Sequence, residues 1–174
     1  MKNHYLEIKK KGYSIVEYPK DLRNAVECLY QSWSKFVTLS QNVKDSLSYN
    51  EDEGYELQTK KGDTRDQKED FHATLASISR VADATENQTV DIFLQANTRV
   101  LNLIESVILS VAQSIETNGN NKGFVQSVFS SKERWIVRCI HYLGSTEIGS
   151  EIASGHPDKS GLTLHLYEDA PGFH

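Results

Sequence analysis

The sequence predicts an α+β fold, in which helices pack against a mostly antiparallel sheet. In the first 130 residues, two long stretches repeat apolar residues at three- and four-residue steps, the spacing of one helix face. From residue 134 onward, "RWIVRCIHYL" is rich in β-branched and aromatic residues, and "GLTLHLY" alternates apolar with polar residues as a strand does. Helices therefore come first along the chain and strands afterwards.

The first long helix is expected to follow a short strand. "YSIVEY" at residues 13–18 has the composition of a strand, and Pro19 ends it. Asp21 can then cap a helix that runs to about Thr38. The predicted buried stripe of this helix consists of Leu22, Ala25, Val26, Leu29, Trp33, Phe36 and Val37.

The chain between the two long helices is polar. A helical turn is predicted at residues 41–47. Residues 48–70 are predicted to form a loop, because Gly54 and Gly62 permit turns and the charges favour solvent. The second long helix is predicted over residues 85–117, where "NGNNKG" ends it, and a short helix is predicted at residues 124–129.

Three strands are predicted after residue 130. They cover residues 134–143, 147–154 and 161–167, and "EDAPG" supplies a turn after the last. In that last strand, three leucines are expected on one face, with Thr163, His165 and Tyr167 on the other. Trp33 and Trp135 are expected in the core.

Composition excludes several classes of protein. The net charge of -5 argues against a nucleic-acid binder, and the "KKK" at residues 9–11 is interpreted as a solvated helix or loop face. Cys28 and Cys139 lie far apart, so they form neither a CxxC motif nor a disulfide framework. The cysteine usage fits a reducing cytoplasm best, and because no signal-like segment and no window of about 20 apolar residues is seen, we expect no membrane span.

A His-Pro-Asp triplet is the main candidate for chemistry. His156 and Asp158 project to the same side of an extended segment, and Pro157 between them restricts the backbone. An imidazole and a carboxylate are two of the three ligands of the facial triad that binds Fe(II), and zinc could use the same ligands for hydrolysis. Taken alone, the triplet also fits an ordinary surface turn.

The sequence segments around the triplet occur in an order that is typical of a known family. "RWIVRCIHYLG", a second strand, "GHPD" and "SGLTLHLYEDAPGFH" follow one another in the order typical of the iron(II)/2-oxoglutarate-dependent oxygenases. The chain resembles the isopenicillin N synthase-like branch of that superfamily. Its first half is similar to the helical leader of the family, through "WSKFVTLSQNVKDSL" and "TRDQKEDFHATL". The resemblance implies a helical leader at residues 1–130, packed on the first strands of an incomplete jelly roll (double-stranded β-helix) at residues 131–174.

The resemblance also implies roles for particular residues. His156 and Asp158 would be iron ligands, and Tyr142 would contact the cosubstrate 2-oxoglutarate. Ile140 stands where the family has an asparagine, and an ordinary strand aromatic packed on the long helix is the other interpretation of Tyr142. The implied activity is hydroxylation, desaturation or ring closure of a small molecule. His72 and His141 are interpreted as surface or satisfied core residues.

The third iron ligand is not found by geometry. His165 lies seven residues beyond Asp158, about 20 Å along an extended strand. His174 follows a turn that would also place it far from His156. In the family, the distal histidine and the 2-oxoglutarate-binding arginine come several tens of residues after the His-x-Asp pair, which corresponds to positions beyond residue 174. We therefore expect an incomplete form of a longer enzyme, or a relative that has lost catalysis.

Two other functions remain open from the sequence. One is a non-catalytic binding or assembly module, in which another copy or a partner chain covers the exposed sheet edge. The other is a zinc hydrolase that uses His156 and Asp158, although no further ligand cluster supports it.

Overall fold

The computed structural model describes residues 3–48, 53–58, 67–82, 86–143 and 161–169. These segments form an α+β arrangement of helices and a three-stranded antiparallel sheet, with a short 3-10 turn at Lys132–Arg134. The predicted fold class is confirmed at this level. The helices are α1 (His4–Lys11), α2 (Lys20–Phe36), α3 (Gln41–Asp45), α4 (Leu75–Ala82), α5 (Gln88–Leu103), α6 (Glu105–Gly119) and α7 (Phe124–Ser130), and the strands are β1 (Gly54–Gln58), β2 (Lys68–Ala73) and β3 (Val137–Tyr142).

Helix α2 confirms the first predicted helix. Six of the seven residues of its predicted stripe are buried, and Val37 packs against them at the C-terminal end. The predicted cap was wrong: Pro19 occupies the N-cap position, and the Asp21 side chain makes no capping hydrogen bond. Asp21 instead lies in the first turn, where its charge favours the positive end of the helix.

The second predicted helix is divided. Asn87 caps α5 through its side-chain oxygen, which accepts hydrogen bonds from the amides of Thr89 and Val90, so the helix begins later than predicted. Ile104 separates α5 from α6, and the amides of Val107 and Ile108 both bond to its carbonyl. The predicted stop at "NGNNKG" is confirmed, because α6 ends at Asn120 in the left-handed conformation.

The apolar residues of this helical pair face the core. Gln88–Gly119 is long and apolar enough, by length and composition, to cross a bilayer, which the sequence interpretation did not anticipate. Val90, Phe93 and Val100 are nevertheless fully buried within the protein. A core helix passes the same length and composition test, so the membrane prediction is neither confirmed nor contradicted.

The sheet has the order β1-β2-β3, and each neighbouring pair is antiparallel. The prediction of a loop over residues 48–70 was wrong, since β1 and the first half of β2 lie there. Two of the charges that suggested a loop, Glu69 and Asp70, are buried and paired with basic side chains of other elements. Helices α1 and α4 also had no counterpart in the prediction.

Two predicted strands do not join a ladder. Residues 13–19 and 162–168 are assigned to no helix or strand, although both alternate half-buried with exposed residues. Leu162, Leu164 and Leu166 are the half-buried set of the second segment, as predicted. The Tyr18 hydroxyl donates a hydrogen bond to the Leu166 carbonyl at 2.7 Å and so links the two segments. The strand predicted at 147–154 lies outside the described residues.

The core is centred on four aromatic rings that join α2, α5 and β2. The ring centroid of Phe93 lies 5.5 Å from that of Trp33, 4.7 Å from that of Phe36 and 5.0 Å from that of Phe71. Trp33 is therefore a core residue, as predicted. Trp135 is half-buried and packs edge-on against Phe129 at 5.3 Å.

Candidate functional site

The side of the sheet opposite the aromatic core carries a cluster of polar side chains, which we call the polar face. It consists of Glu56 and Gln58 of β1, Lys68, Asp70 and His72 of β2, and Arg138, Ile140 and Tyr142 of β3. Strand alternation brings these residues to one side, because Lys68 pairs with Tyr142, Asp70 with Ile140 and His72 with Arg138. Phe71 and Cys139, which alternate with them, are buried on the core side.

Asp70 is the centre of the polar face and has no exposed surface. Its Oδ2 atom accepts a hydrogen bond from the Arg138 guanidinium at 2.6 Å, and it lies 3.8 Å from Lys68 Nζ and 3.7 Å from His72 Nε2. Within the described part of the chain, its Oδ1 atom has no hydrogen-bond partner. One carboxylate oxygen is thus crowded by basic groups while the other is buried without a donor.

The charge state of Asp70 follows from these contacts. Burial on its own would raise the pKa of this carboxyl group, but the neighbouring His72 and Arg138 outweigh burial and lower the pKa below its ordinary value. Asp70 is therefore ionised at neutral pH and can only accept hydrogen bonds. Arg138, whose side chain is 39% exposed, keeps several N–H groups beyond the one that binds Asp70.

A second buried carboxylate, Glu69, lies on the core side of the same strand. Lys44 Nζ lies 2.6 Å from its Oε2 atom, the Tyr55 hydroxyl donates to Oε2 at 2.9 Å, and His141 Nδ1 lies 2.8 Å from Oε1. These partners together lower the pKa of Glu69 although burial opposes them, and burial is the main cause that raises the pKa of Tyr55. Because both Glu69 oxygens are engaged by neighbouring elements, we interpret this group, the Glu69 network, as structural.

Tyr142 is the predicted site residue that falls within the described part of the chain. It lies on the polar face with 38% of its surface exposed. Its position there disagrees with the interpretation that it packs on the long helix, because the core lies on the other side of the sheet. His72 shares the polar face with Tyr142, whereas His141 belongs to the Glu69 network.

The predicted iron ligands cannot be located in the same way. His156 and Asp158 lie outside the described residues, as does His174. His165 is described, and its Nε2 atom lies 3.7 Å from Glu168 Oε2 with both side chains 44% exposed. Among the residues that the structure describes, no group of three or more His, Cys, Asp or Glu side chains is arranged to hold a metal ion.

Other features of the described chain offer less chemistry. Burial raises the pKa of the Cys139 thiol to about 12, so this cysteine is not a nucleophile at neutral pH. A cavity of about 540 Å³ lies between α4 and α5, but it contains no residue of the polar face. We therefore regard the polar face as the candidate functional site.

Sequence reasoning named Tyr142 as a candidate site residue but did not name Asp70, Lys68 or Arg138. A signal for them exists in "KEDFHA", where Lys68, Asp70 and His72 occur at alternate positions as they would on one face of a strand. The signal was hidden because so many charges in a row are typical of a loop. Arg138 could be connected to it only after β2 and β3 were paired.

Comparison with known proteins adds no relative to this description. No family model matches the chain, and no curated protein or solved structure matches it either.

Proposed function

We propose that the chain belongs to an iron(II)- and 2-oxoglutarate-dependent oxygenase of the isopenicillin N synthase-like branch, which hydroxylates, desaturates or cyclises a small molecule. The observation that carries the proposal is the triplet His156-Pro157-Asp158, followed directly by "KSGLTLHLYEDAPGFH". We further propose that β3 begins the jelly-roll core at residues 131–174, and that the leader region at residues 1–130 adds β1 and β2 to the same sheet.

The pairing of β2 with β3 supports this proposal. The two strands come from "TRDQKEDFHATL" and "RWIVRCIHYLG", segments that resemble the family independently and have 58 residues between them. In the folded chain they are hydrogen-bonded neighbours from Lys68↔Tyr142 to Ala73↔Val137. If both segments belong to one oxygenase fold, we expect them to pair in one sheet, as β2 and β3 do.

In the proposed enzyme, three residues have particular roles. His156 offers an imidazole nitrogen and Asp158 a carboxylate oxygen, a donor set that suits Fe(II). The Tyr142 hydroxyl, on the polar face, would hold a carboxylate of 2-oxoglutarate by a charge-assisted hydrogen bond. The metal and 2-oxoglutarate supply the oxidising chemistry when they are bound. The remaining polar face would bind and orient the substrate.

An anaerobic titration tests the proposal. Fe(II) is added to the 174-residue chain with and without 2-oxoglutarate, and the visible charge-transfer band of the complex is followed. Iron that the chain retains should be lost in His156→Ala and in Asp158→Ala, and any charge-transfer band should require both additions. Tyr142→Phe should weaken the apparent affinity for 2-oxoglutarate roughly tenfold, the effect of one lost charge-assisted hydrogen bond.

The matched control is His165→Ala, which removes an exposed histidine from the same end of the chain. This variant should keep the band. Absence of both the band and retained iron in the unmodified chain would reject catalysis by the 174-residue chain and favour a non-catalytic module built on the same fold.

A further inference from the structure

The most exposed large apolar side chains of the described residues lie together near the N-terminus, within residues 6–15. They are Leu6, Tyr13 and Ile15, which are 56%, 60% and 69% exposed, whereas the other large apolar side chains of the described part are at most 51% exposed. Single exposed apolar residues are ordinary on a protein surface, but a concentration of them marks a contact site. The three lysines at residues 9–11 are exposed as well. We call these six residues the basic-apolar surface.

Hydrogen bonds hold Tyr13 and Ile15 in their outward orientation. Ser14, which lies between them, donates through its hydroxyl to Glu7 Oε2 at 2.6 Å, and its Oγ atom lies 2.9 Å from His4 Nδ1. Both partners belong to α1, so the Ser14 side chain faces this helix. Exposure alternates along residues 13–19, as it does in an extended segment, where neighbouring side chains project to opposite sides. Tyr13 and Ile15 therefore point away from α1 into solvent.

Helix α1 presents apolar and basic side chains on one face. Leu6, Lys9 and Lys10 follow one another at three- and four-residue steps, so they are neighbours on the helix surface. The helix is fixed to α6 by the Tyr5 amide, which donates a hydrogen bond to Ser114 Oγ at 3.3 Å. It ends in a left-handed turn directly after the lysines, and the exposed extended segment begins there. The basic-apolar surface thus belongs to a region that the fold holds in place.

The charge of this region is opposite to that of the whole chain. Residues 1–20 contain five lysines and two glutamates and so carry a net charge of +3, whereas the whole chain carries -5, which leaves -8 on the other residues. A soluble polyanion such as a nucleic acid would neutralise the lysines but would leave Leu6 and Ile15 in water. A bilayer that contains anionic lipids complements both the positive charge and the apolar side chains.

We propose that the basic-apolar surface binds an anionic lipid bilayer. Leu6, Tyr13 and Ile15 enter the boundary between headgroups and acyl chains, and the three lysines contact lipid phosphates. Tyrosine suits this boundary because its ring is apolar and its hydroxyl group is polar. The association is peripheral, since these residues lie on the bilayer and do not span it. It does not rest on the proposed oxygenase function, because no contact involves iron or 2-oxoglutarate.

Vesicle flotation tests the proposal with the 174-residue chain. The chain is mixed with vesicles of phosphatidylcholine alone, or of phosphatidylcholine and phosphatidylserine in equal parts, and the bound fraction is measured against lipid concentration. We expect binding to the vesicles that contain phosphatidylserine and none to phosphatidylcholine alone. Added sodium chloride should weaken the binding, because salt screens the attraction between the lysines and the charged lipid surface.

Replacement of the lysines tests the electrostatic part. The triple variant K9Q/K10Q/K11Q should bind the phosphatidylserine vesicles on the order of 100-fold more weakly, since each lysine near such a surface contributes roughly fivefold. The matched control removes three exposed positive charges elsewhere and has the same net charge: it is the triple variant K35Q/K122Q/R134Q. This control should bind like the unmodified chain.

Replacement of the apolar side chains distinguishes a bilayer from a soluble polyanion. Tyr13→Ser combined with Ile15→Ser should weaken vesicle binding roughly tenfold, because both side chains leave the interface. Any binding of heparin, a polyanion without an apolar phase, should be unchanged in this double variant. Ile92→Ser combined with Ile136→Ser is the control, since these two side chains are each 51% exposed at other places, and vesicle binding should be retained. Urea unfolding confirms that each variant is folded.

Three results would overturn the inference. The first is equal binding to vesicles with and without phosphatidylserine, and the second is an equal loss of binding in the two triple variants. The third is a Tyr13→Ser, Ile15→Ser variant that binds vesicles as tightly as the unmodified chain, which would make the lysines a general site for polyanions. The iron titration is unaffected by any of these results, so failure here leaves the proposed function in place.

Discussion

Glu69 and Asp70 are neighbours on β2, but they face opposite sides of the sheet and have different surroundings. The charge of Glu69 is balanced by Lys44, whose side chain is 8% exposed. Glu69→Gln would leave this lysine buried without its counter-charge, so we expect the free energy of unfolding at neutral pH to fall by about 3 kcal/mol. Urea unfolding measures the change. Glu56→Gln makes the same substitution on an exposed strand residue and should stay within about 0.5 kcal/mol of the unmodified chain.

Glu69→Gln should also alter the pH dependence of the free energy of unfolding. Hydrogen bonds from Lys44, His141 and Tyr55 outweigh the effect of burial and hold the pKa of Glu69 below its ordinary value. A carboxyl group whose pKa is lower in the folded state contributes its full stability above the unfolded pKa of about 4.3. That contribution is lost as the pH falls through the lower folded pKa. Unfolding curves below about pH 4.3 should therefore depend less steeply on pH in Glu69→Gln, and an unchanged slope would show that the network does not stabilise the ionised form.

Among the elements, α5 connects helix α2 to the sheet through Phe93. This side chain is fully buried, and its ring contacts those of Trp33, Phe36 and Phe71. Phe93→Ala should lower the free energy of unfolding by about 3–5 kcal/mol, since it removes the ring and leaves a cavity between three elements. Ile92→Ala on the same helix is the control, because Ile92 is 51% exposed and its loss should cost little. Equal effects of the two substitutions in urea unfolding would contradict the described orientation of α5.

The elements also differ in how far the sequence could predict them. Helix α2 was predictable because its apolar spacing is local and its stripe is buried as a unit. Strand β2 was not, because its charges are stabilised by distant partners: Glu69 by Lys44 from α3, and Asp70 by Arg138 from β3. Because the stabilising partners are distant in the sequence, no local pattern around β2 predicts that its charged residues form a buried strand. The division of the second long helix at Ile104 was missed for a different reason, since apolar spacing continues across the break.

For the molecule as a whole, motif and fold contribute different parts of the candidate site. The motif resemblance selected Tyr142, His156 and Asp158 from linear spacing. Only the assembled sheet connects Tyr142 to Asp70 and Arg138, because the β2 and β3 segments are far apart in the sequence. A substrate site is harder to predict than a metal site for this reason: metal ligands recur in fixed short patterns, whereas substrate contacts depend on which strands become neighbours.

The two cysteines differ in exposure, so their chemical labelling can follow the unfolding of the whole molecule. Cys28 is exposed on α2, whereas Cys139 is 9% exposed on β3 and burial raises its pKa to about 12. We expect iodoacetamide to label Cys28 rapidly in the folded chain and Cys139 only when the chain unfolds, because the reaction needs an accessible thiolate. In Cys28→Ser, the rate of labelling of Cys139, measured by mass spectrometry against urea concentration, should then follow the global unfolding curve. Rapid labelling of Cys139 without urea would mean instead that β3 separates from the core before the rest of the molecule unfolds, and that the polar face opens with it.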